Sequence, residues 1–465
     1  MPVQRTASPI DGRIVAEREL ADDAAVAAAL ERARAAFPGW RATPVEERCA
    51  LLSRAVDTLV GQRDEIAREI TLQIGRPVAH SPGEVRGLEE RARHMLALAP
   101  EALADVGVEP RPGFTRLIRR EPLGLVLVIA PWNYPYLTAV NAIVPALAAG
   151  DPVLLKHSAQ TPLCAERFQA AFDAAGLPPG VFQHLHLGHD AALRLAGGGE
   201  ARLVCFTGSV PGGRAVQVAA AAGGRFVATN LELGGKDPAY VRFDADLAHA
   251  VESLVDGACF NAGQSCCGIE RIYVHERLYD DFVAGYVETA SAYVLDDPLL
   301  PGTTLGPMVR ASSADLARGQ VDEAVAQGAS DLIDPRRFDR DRPGSPYMAP
   351  RCLTDVTHAM RVMREESFSP VVGIMRVRDD EEAVALMNDS GYGLTAAVWT
   401  RDEGAALSIG DRLQTGTVFM NRCDYLDPAL AWTGVRDSGR GVALSRLAYE
   451  HLTRPKSFHL RHAVG

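Results

Sequence analysis

The sequence predicts an α/β protein whose parallel sheets are covered by helices, and three observations carry that prediction. Strand-like and helix-like segments alternate from about residue 123, the order parallel strands need, because each crossover brings a helix back over the sheet. The strands opening that run are nearly continuous in Val, Leu and Ile, as strands buried on both faces are. A second round of the same alternation starts after residue 235. At 465 residues the chain is long enough for two or three domains with sizeable cores.

The N-terminal part is helical. "DDAAVAAALERARAAFPGW" has amphipathic spacing and is expected to stop at Pro38-Gly39. "TPVEERCALLSRAVDTLV" follows, with Thr43 and Glu46 spaced as a capping box and Pro44 at the first helical position. Helical spacing continues through "RDEIAREITLQIG" and "GEVRGLEERARHMLALA". After Pro110 the character changes: "PGFTRLIRREPLGLVLVIA" alternates and then turns continuously apolar, which reads as strand. Next come helix "TAVNAIVPALAAG", strand "PVLLK", helix "PLCAERFQAAFDAAG", strands "VFQHLHL" and "RLVCF", and helix "GGRAVQVAAAAG". The second round opens with strand "PAYV", a helix near 245–259 and strand "RIYVHE"; "TRPKSFHLR" reads as a closing strand. No internal repeat or low-complexity linker interrupts the pattern.

Composition narrows the function. Hydrophobic residues make up 47% and charged residues 23%, as in ordinary globular proteins. The net charge of −11 argues against nucleic acid as a partner, since phosphate binding calls for a basic surface. The absence of a long uncharged apolar run argues against a membrane span. The first residues lack an apolar signal core, so a cytoplasmic location with reduced thiols is expected. None of the eight cysteines forms a C-x-x-C pair. His184 and His186 would share one face of a strand beside His189, but a histidine-rich strand is the commoner reading and no metal is expected.

Four stretches could carry chemistry. "FNAGQSCCGIE" places Cys266 and Cys267 in a polar loop, where a thiol that becomes thiolate is a nucleophile; most loop cysteines are inert. "LELGGKDP" sets Glu232 between leucines, where poor solvation raises a carboxyl pKa toward that of a general base; a surface carboxylate at a strand end is the competing reading. "APWNYP" puts Asn133 after an apolar strand, where its amide can donate to an oxyanion or simply hold its own turn. "CFTGSVPGG" ends a strand and opens a helix with glycines that let phosphate oxygens approach, although a lone glycine turn is usually only a turn.

Order and spacing join these signals. "PWNYP", "LLKHSAQTP", "FTGS", "LELGGKDP", "GQSC" and "EESFSPV" follow one another in the order seen in NAD(P)-dependent aldehyde dehydrogenases of the non-phosphorylating, hydrolytic type. Cys266 stands 34 residues after Glu232, and Lys156 stands 23 after Asn133, as in that superfamily. The sequence resembles it from about residue 7 to about residue 460. The resemblance implies a Rossmann-like cofactor domain (1–103 and 123–234), an α/β catalytic domain (235–434) and a small β hairpin that oligomerises with the C-terminal strand (104–122 and 445–465). It implies Cys266 as nucleophile, Cys267 as bystander, Glu232 as the base for the hydrolytic water, and Asn133 with the Cys266 backbone N–H as oxyanion hole. Lys156 resembles the residue that binds the adenosine ribose; Gly208, Ser209 and Gly213 fall in the pyrophosphate turn; Glu366 and Phe368 resemble the pair that positions the nicotinamide. Trp132, Ser158, Ala159 and Leu233 are expected beside the cofactor, NAD or NADP, and Tyr134, Asn141 and Trp432 beside the aldehyde. A homodimer or homotetramer is expected.

The sequence also departs from that pattern. Ala159 stands where many relatives have a glutamate, Trp432 where a phenylalanine is common, and Ala443 where some have a second glutamate. Relatives acting on succinic semialdehyde often carry an arginine at the position of Asn141, so neutral aldehydes are expected here unless another arginine, with Arg422 as candidate, replaces it. A CoA-acylating semialdehyde dehydrogenase is the alternative enzyme, and Glu232 argues against it. A catalytically silent member is the alternative outside catalysis, and retention of both Cys266 and Glu232 argues against that.

Overall fold

The computed structural model describes residues 2–462. Four helices, α1 (Asp23–Ala42), α2 (Val45–Gly61), α3 (Arg63–Ile74) and α4 (Pro82–Ala102), precede the first central strand, and α5 (Pro135–Ala149) follows it. The first sheet has six strands in the order Gly439–Arg440, Ala228–Glu232, Leu203–Thr207, Val126–Ile129, Val153–Lys156, Phe182–His184. All pairs are parallel except the first. Val126–Ile129 and Val153–Lys156 are buried along their whole length, which is why they read as unbroken apolar runs. The second sheet has seven strands around Asp237–Val241 and Ile269–His275, parallel except for the short edge strand Ser330–Asp331. A third, antiparallel sheet joins Thr453–Arg461, Phe114–Pro122 and Val106–Gly107. The α/β class and the two rounds of parallel strands are as the sequence predicts.

Three local expectations fail for identifiable reasons. α1 does not stop at Pro38-Gly39 but runs to Ala42 with the proline inside it. Trp40 explains the extra turn: it is fully buried and its indole N–H donates to Leu147 O at 3.0 Å, so packing outweighs the lost backbone bond. The capping box does not form, because Thr43 closes α1 instead, giving its backbone N–H and its hydroxyl to Gly39 O, and Pro44 caps α2. The strand "VFQHLHL" ends at His184, and His186 turns its ring nitrogen to Glu166 at 3.2 Å. No helix of the described residues is long and apolar enough to cross a membrane.

Candidate active site

The helix Leu247–Cys259 delivers the chain to a tight loop. Asn261, Ala262 and Gly263 all have positive φ, a run that L-residues rarely adopt and that reverses the chain within one turn. Gln264 fixes the result: its Oε1 accepts from Val309 N at 2.8 Å and its Nε2 donates to Asn261 O at 2.9 Å. Cys266 emerges half-buried and Cys267 fully buried. The two thiols differ in partners. Cys267 donates to Asp424 Oδ1 at 2.8 Å, and Ser265 donates to the same oxygen at 3.2 Å. Its hydrogen bond with Cys266 and its burial push the Cys267 thiol far up, so it stays protonated.

Glu232 ends its strand in the first sheet with Thr207 beside it, whose hydroxyl donates to Oε2 at 3.3 Å. Burial raises the Glu232 carboxyl to about 7, against the pull of Thr207 and the positive charge of Arg91. Three residues further on, Gly235 lies against the cysteine loop: a Cβ there would sit 2.3 Å from Cys266 O. Glu232 and Cys266 both line one cavity of about 400 Å³.

Asn133 is buried, and its Nδ2 donates to Gln264 O at 3.2 Å, two residues before Cys266. Its backbone carbonyl accepts from Arg76 and from Asn261 Nδ2. Arg76 is a hub that the sequence alone does not reveal: it also donates to Asn261 Oδ1 at 3.0 Å and pairs with the buried Glu84. Glu84 in turn accepts from the N–H groups of Tyr136 and Leu137 at 2.9 Å, supplying an anion at the N-terminus of α5. Tyr134, Asn141 and Trp432 line the same cavity. Trp432 is pinned by backbone pairing with Ala443 in both directions, at 2.8 and 2.9 Å. Arg422 does not reach the wall; its guanidinium stacks on Tyr425 with 3.9 Å to the ring centroid. The guanidinium beside Asn141 is that of Arg91, from α4.

The residues expected at the cofactor lie along the ends of both sheets. Lys156 is buried at its strand end with no hydrogen-bond or ion-pair partner for its ammonium among the described residues, and burial lowers its pKa. Ser158 accepts from Gln160 N, and Ala159 is exposed with its carbonyl held by Thr6 Oγ1 at 2.8 Å and Gln4 Nε2 at 3.3 Å. Ser209 caps the helix Val210–Ala222, and Gly208 packs on Phe206. Gly213 packs on Leu233, with room for no Cβ. Glu366 accepts from Gly235 N at 3.0 Å, and burial followed by repulsion from Glu270 raises it to about 8. Phe368, with φ of 49°, meets Trp132 edge to face at 5.7 Å. Beneath this loop the buried pair Lys236–Glu270 accepts the N–H groups of Ser367 and Phe368 on its carboxylate. An unpartnered ammonium and a helix N-terminus reached through the Gly208–Ser209 turn fit a dinucleotide bearing phosphates and ribose hydroxyls.

Comparison with known proteins agrees with this architecture. The family model described as "Aldehyde dehydrogenase family" matches residues 3–458. A succinate-semialdehyde dehydrogenase (NADP(+)) of Deinococcus radiodurans is 36% identical over 451 residues, covering 97% of this chain and 93% of that protein. The solved structure of succinic semialdehyde dehydrogenase from Streptococcus pyogenes in complex with NADP+ superposes with a TM-score of 0.93 at 27% identity, covering 99% of this chain and 100% of that one. Betaine aldehyde dehydrogenase from Staphylococcus aureus in complex with NAD+ gives 0.93 at 28% identity, covering 100% and 92%. The chain belongs to the aldehyde dehydrogenase family. It is an NAD(P)-dependent oxidoreductase acting on an aldehyde.

Proposed function

We propose that the enzyme oxidises its aldehyde to the carboxylic acid by hydrolysis of a thioester on Cys266. The observation that carries this reading is Glu232, a carboxyl poised at about 7 on the wall of the cavity that also holds Cys266. The Cys266 thiolate adds to the aldehyde carbon, and the amide of Asn133 donates to the oxygen that takes the charge. A nicotinamide bound here would supply the hydride acceptor, so that the C–H bond of the adduct breaks as its oxyanion re-forms the carbonyl and a thioester is left on Cys266. Glu232 then takes a proton from water as that water attacks the thioester carbonyl, releasing the acid and the Cys266 thiolate. Lys156, Ser158, Ala159, Gly208, Ser209, Gly213 and Leu233 hold the adenosine and pyrophosphate part of the cofactor, and Trp132, Glu366 and Phe368 its nicotinamide end. Residues 1–103 and 123–234 form the cofactor domain, 235–434 the catalytic domain, and 104–122 with 445–465 the oligomerisation segments, Met1 and residues 463–465 lying outside the described residues.

The test is Glu232→Gln. Rapid mixing with aldehyde and cofactor should show a burst of reduced cofactor followed by turnover slowed roughly 10²–10⁴-fold, the range for a lost general base. Wild-type turnover in the variant would refute the assignment. Acyl-CoA formation on adding CoA, faster than acid release, would favour the acylating alternative.

A further inference from the structure

We propose that Arg91 anchors a carboxylate at the far end of the substrate, which makes the substrate class aldehydes that carry a terminal carboxylate. This deepens the catalytic reading and rests on it, since the anchor matters only if the aldehyde end meets Cys266. The argument begins with helix packing. A Cβ on Gly87 would lie 2.4 Å from Leu137 Cδ2, so at this approach of α4 to α5 any larger residue there must displace the Leu137 side chain. One turn further along α4, Arg91 Nη1 donates to Leu137 O at 2.8 Å and reaches Asn141 Oδ1, one turn further along α5, at 3.5 Å.

Arg91 is 8% exposed and lines the cavity. Only Nη1 is engaged: Nε and Nη2 have no hydrogen-bond partner among the described residues. Nor does any described carboxylate lie within ion-pair distance of it, whereas Arg76, the other buried guanidinium on this wall, is fully partnered. The acids nearby are committed elsewhere. Glu84 belongs to Arg76, Asp424 accepts from Ser265 and Cys267, and Glu232 accepts from Thr207. A buried cation without a counter-ion is unfavourable, and a fork of free N–H groups matches a carboxylate in charge and geometry. Asn141 cannot supply that charge, but through its Oδ1 it holds the guanidinium that does. Its own Nδ2 is buried and unpartnered, a further donor on the same side.

The experiment compares succinic semialdehyde with butanal, which matches it in chain length but ends in a methyl group. In the wild type, kcat/KM should favour succinic semialdehyde. Arg91→Gln should lower the ratio of the two kcat/KM values by roughly 10–100-fold, the range for a charge-assisted hydrogen bond, mainly through KM, and Arg91→Lys should restore part of it. Binding is read separately in Cys266→Ala: calorimetry should show succinic semialdehyde bound, and Arg91→Gln in that background should weaken it by a similar factor. An unchanged ratio, or equal losses on both aldehydes with no rescue by lysine, would overturn the anchor. A wild-type preference for glyceraldehyde 3-phosphate would overturn the carboxylate in favour of a phosphate. Retained turnover in Cys266→Ala would instead sink the catalytic reading while leaving the binding arm intact.

Discussion

Cys267 gives its thiol hydrogen to Asp424 at 2.8 Å, so the two adjacent cysteines of the loop are chemically distinct. A thiol that is buried, protonated and already donating is not available to attack. Cys266→Ala should therefore abolish cofactor reduction while cofactor binding, followed by fluorescence, persists. Cys267→Ala should cost less than about tenfold in kcat. A lethal Cys267 change beside a tolerated Cys266 change would reverse the assignment.

Turnover should depend on Glu232 with a sign that can be stated. The base works as carboxylate, so thioester hydrolysis should rise with pH through about 7 and level off above it. The stability effect runs the other way. The folded carboxyl keeps its proton between the ordinary 4.5 and about 7, so the folded state loses stability as pH climbs through that window. Glu232→Gln should flatten the activity limb and raise Tm at pH 8. A variant less stable than wild type at that pH would contradict the burial of charge inferred here.

Cofactor use should be permissive. A glutamate at position 159 would repel a ribose 2′-phosphate by on the order of 4 kcal/mol at about 4 Å and an effective dielectric of about 20. Ala159 removes that repulsion and leaves the unpartnered Lys156 nearby in sequence. Both NAD+ and NADP+ should support turnover, and Ala159→Glu should shift the kcat/KM ratio toward NAD+. A wild-type preference for NAD+ above about 100-fold, or no shift in the variant, would defeat this.

The enzyme should be at least a dimer. Thr453–Arg461 is an outer strand nine residues long whose one partner among the described residues is Phe114–Pro122, and Leu460 is half exposed on it. Such an edge invites pairing with another chain. Light scattering should give a multiple of 49.8 kDa at micromolar concentration, and a monomer would refute the prediction.

What the sequence reveals and conceals follows from distance along the chain. Alternating strands and helices are written in neighbouring residues, and the spacing of Glu232 and Cys266 is written in two short motifs. Arg91 and Asp424 are not legible in that way. Arg91 matters because α4 lies against Asn141, fifty residues later, and Asp424 because its loop returns to Cys267 from 157 residues downstream. The stop expected at Pro38 fails for the same reason, since Trp40 is held by Leu147, 107 residues away. Local propensity cannot anticipate a partner that only the folded chain supplies.

The strand that ends in Glu232 is closed by residues about 200 positions later in the chain. Gly439 and Arg440 pair with Glu232 and Leu231, while Ser438 accepts Leu233 N–H and donates to Gly234 O at 2.7 Å. During synthesis the thiol at 266 is therefore made long before the residues that hold Glu232 in its strand. A nascent chain presents the Cys266 thiol before Glu232 is held, and in the proposed reading the two become one site only once residues 438–440 have emerged. Ribosome-bound intermediates should be inert toward aldehydes, and truncation just before residue 438 should leave a thiol that alkylates but does not turn over.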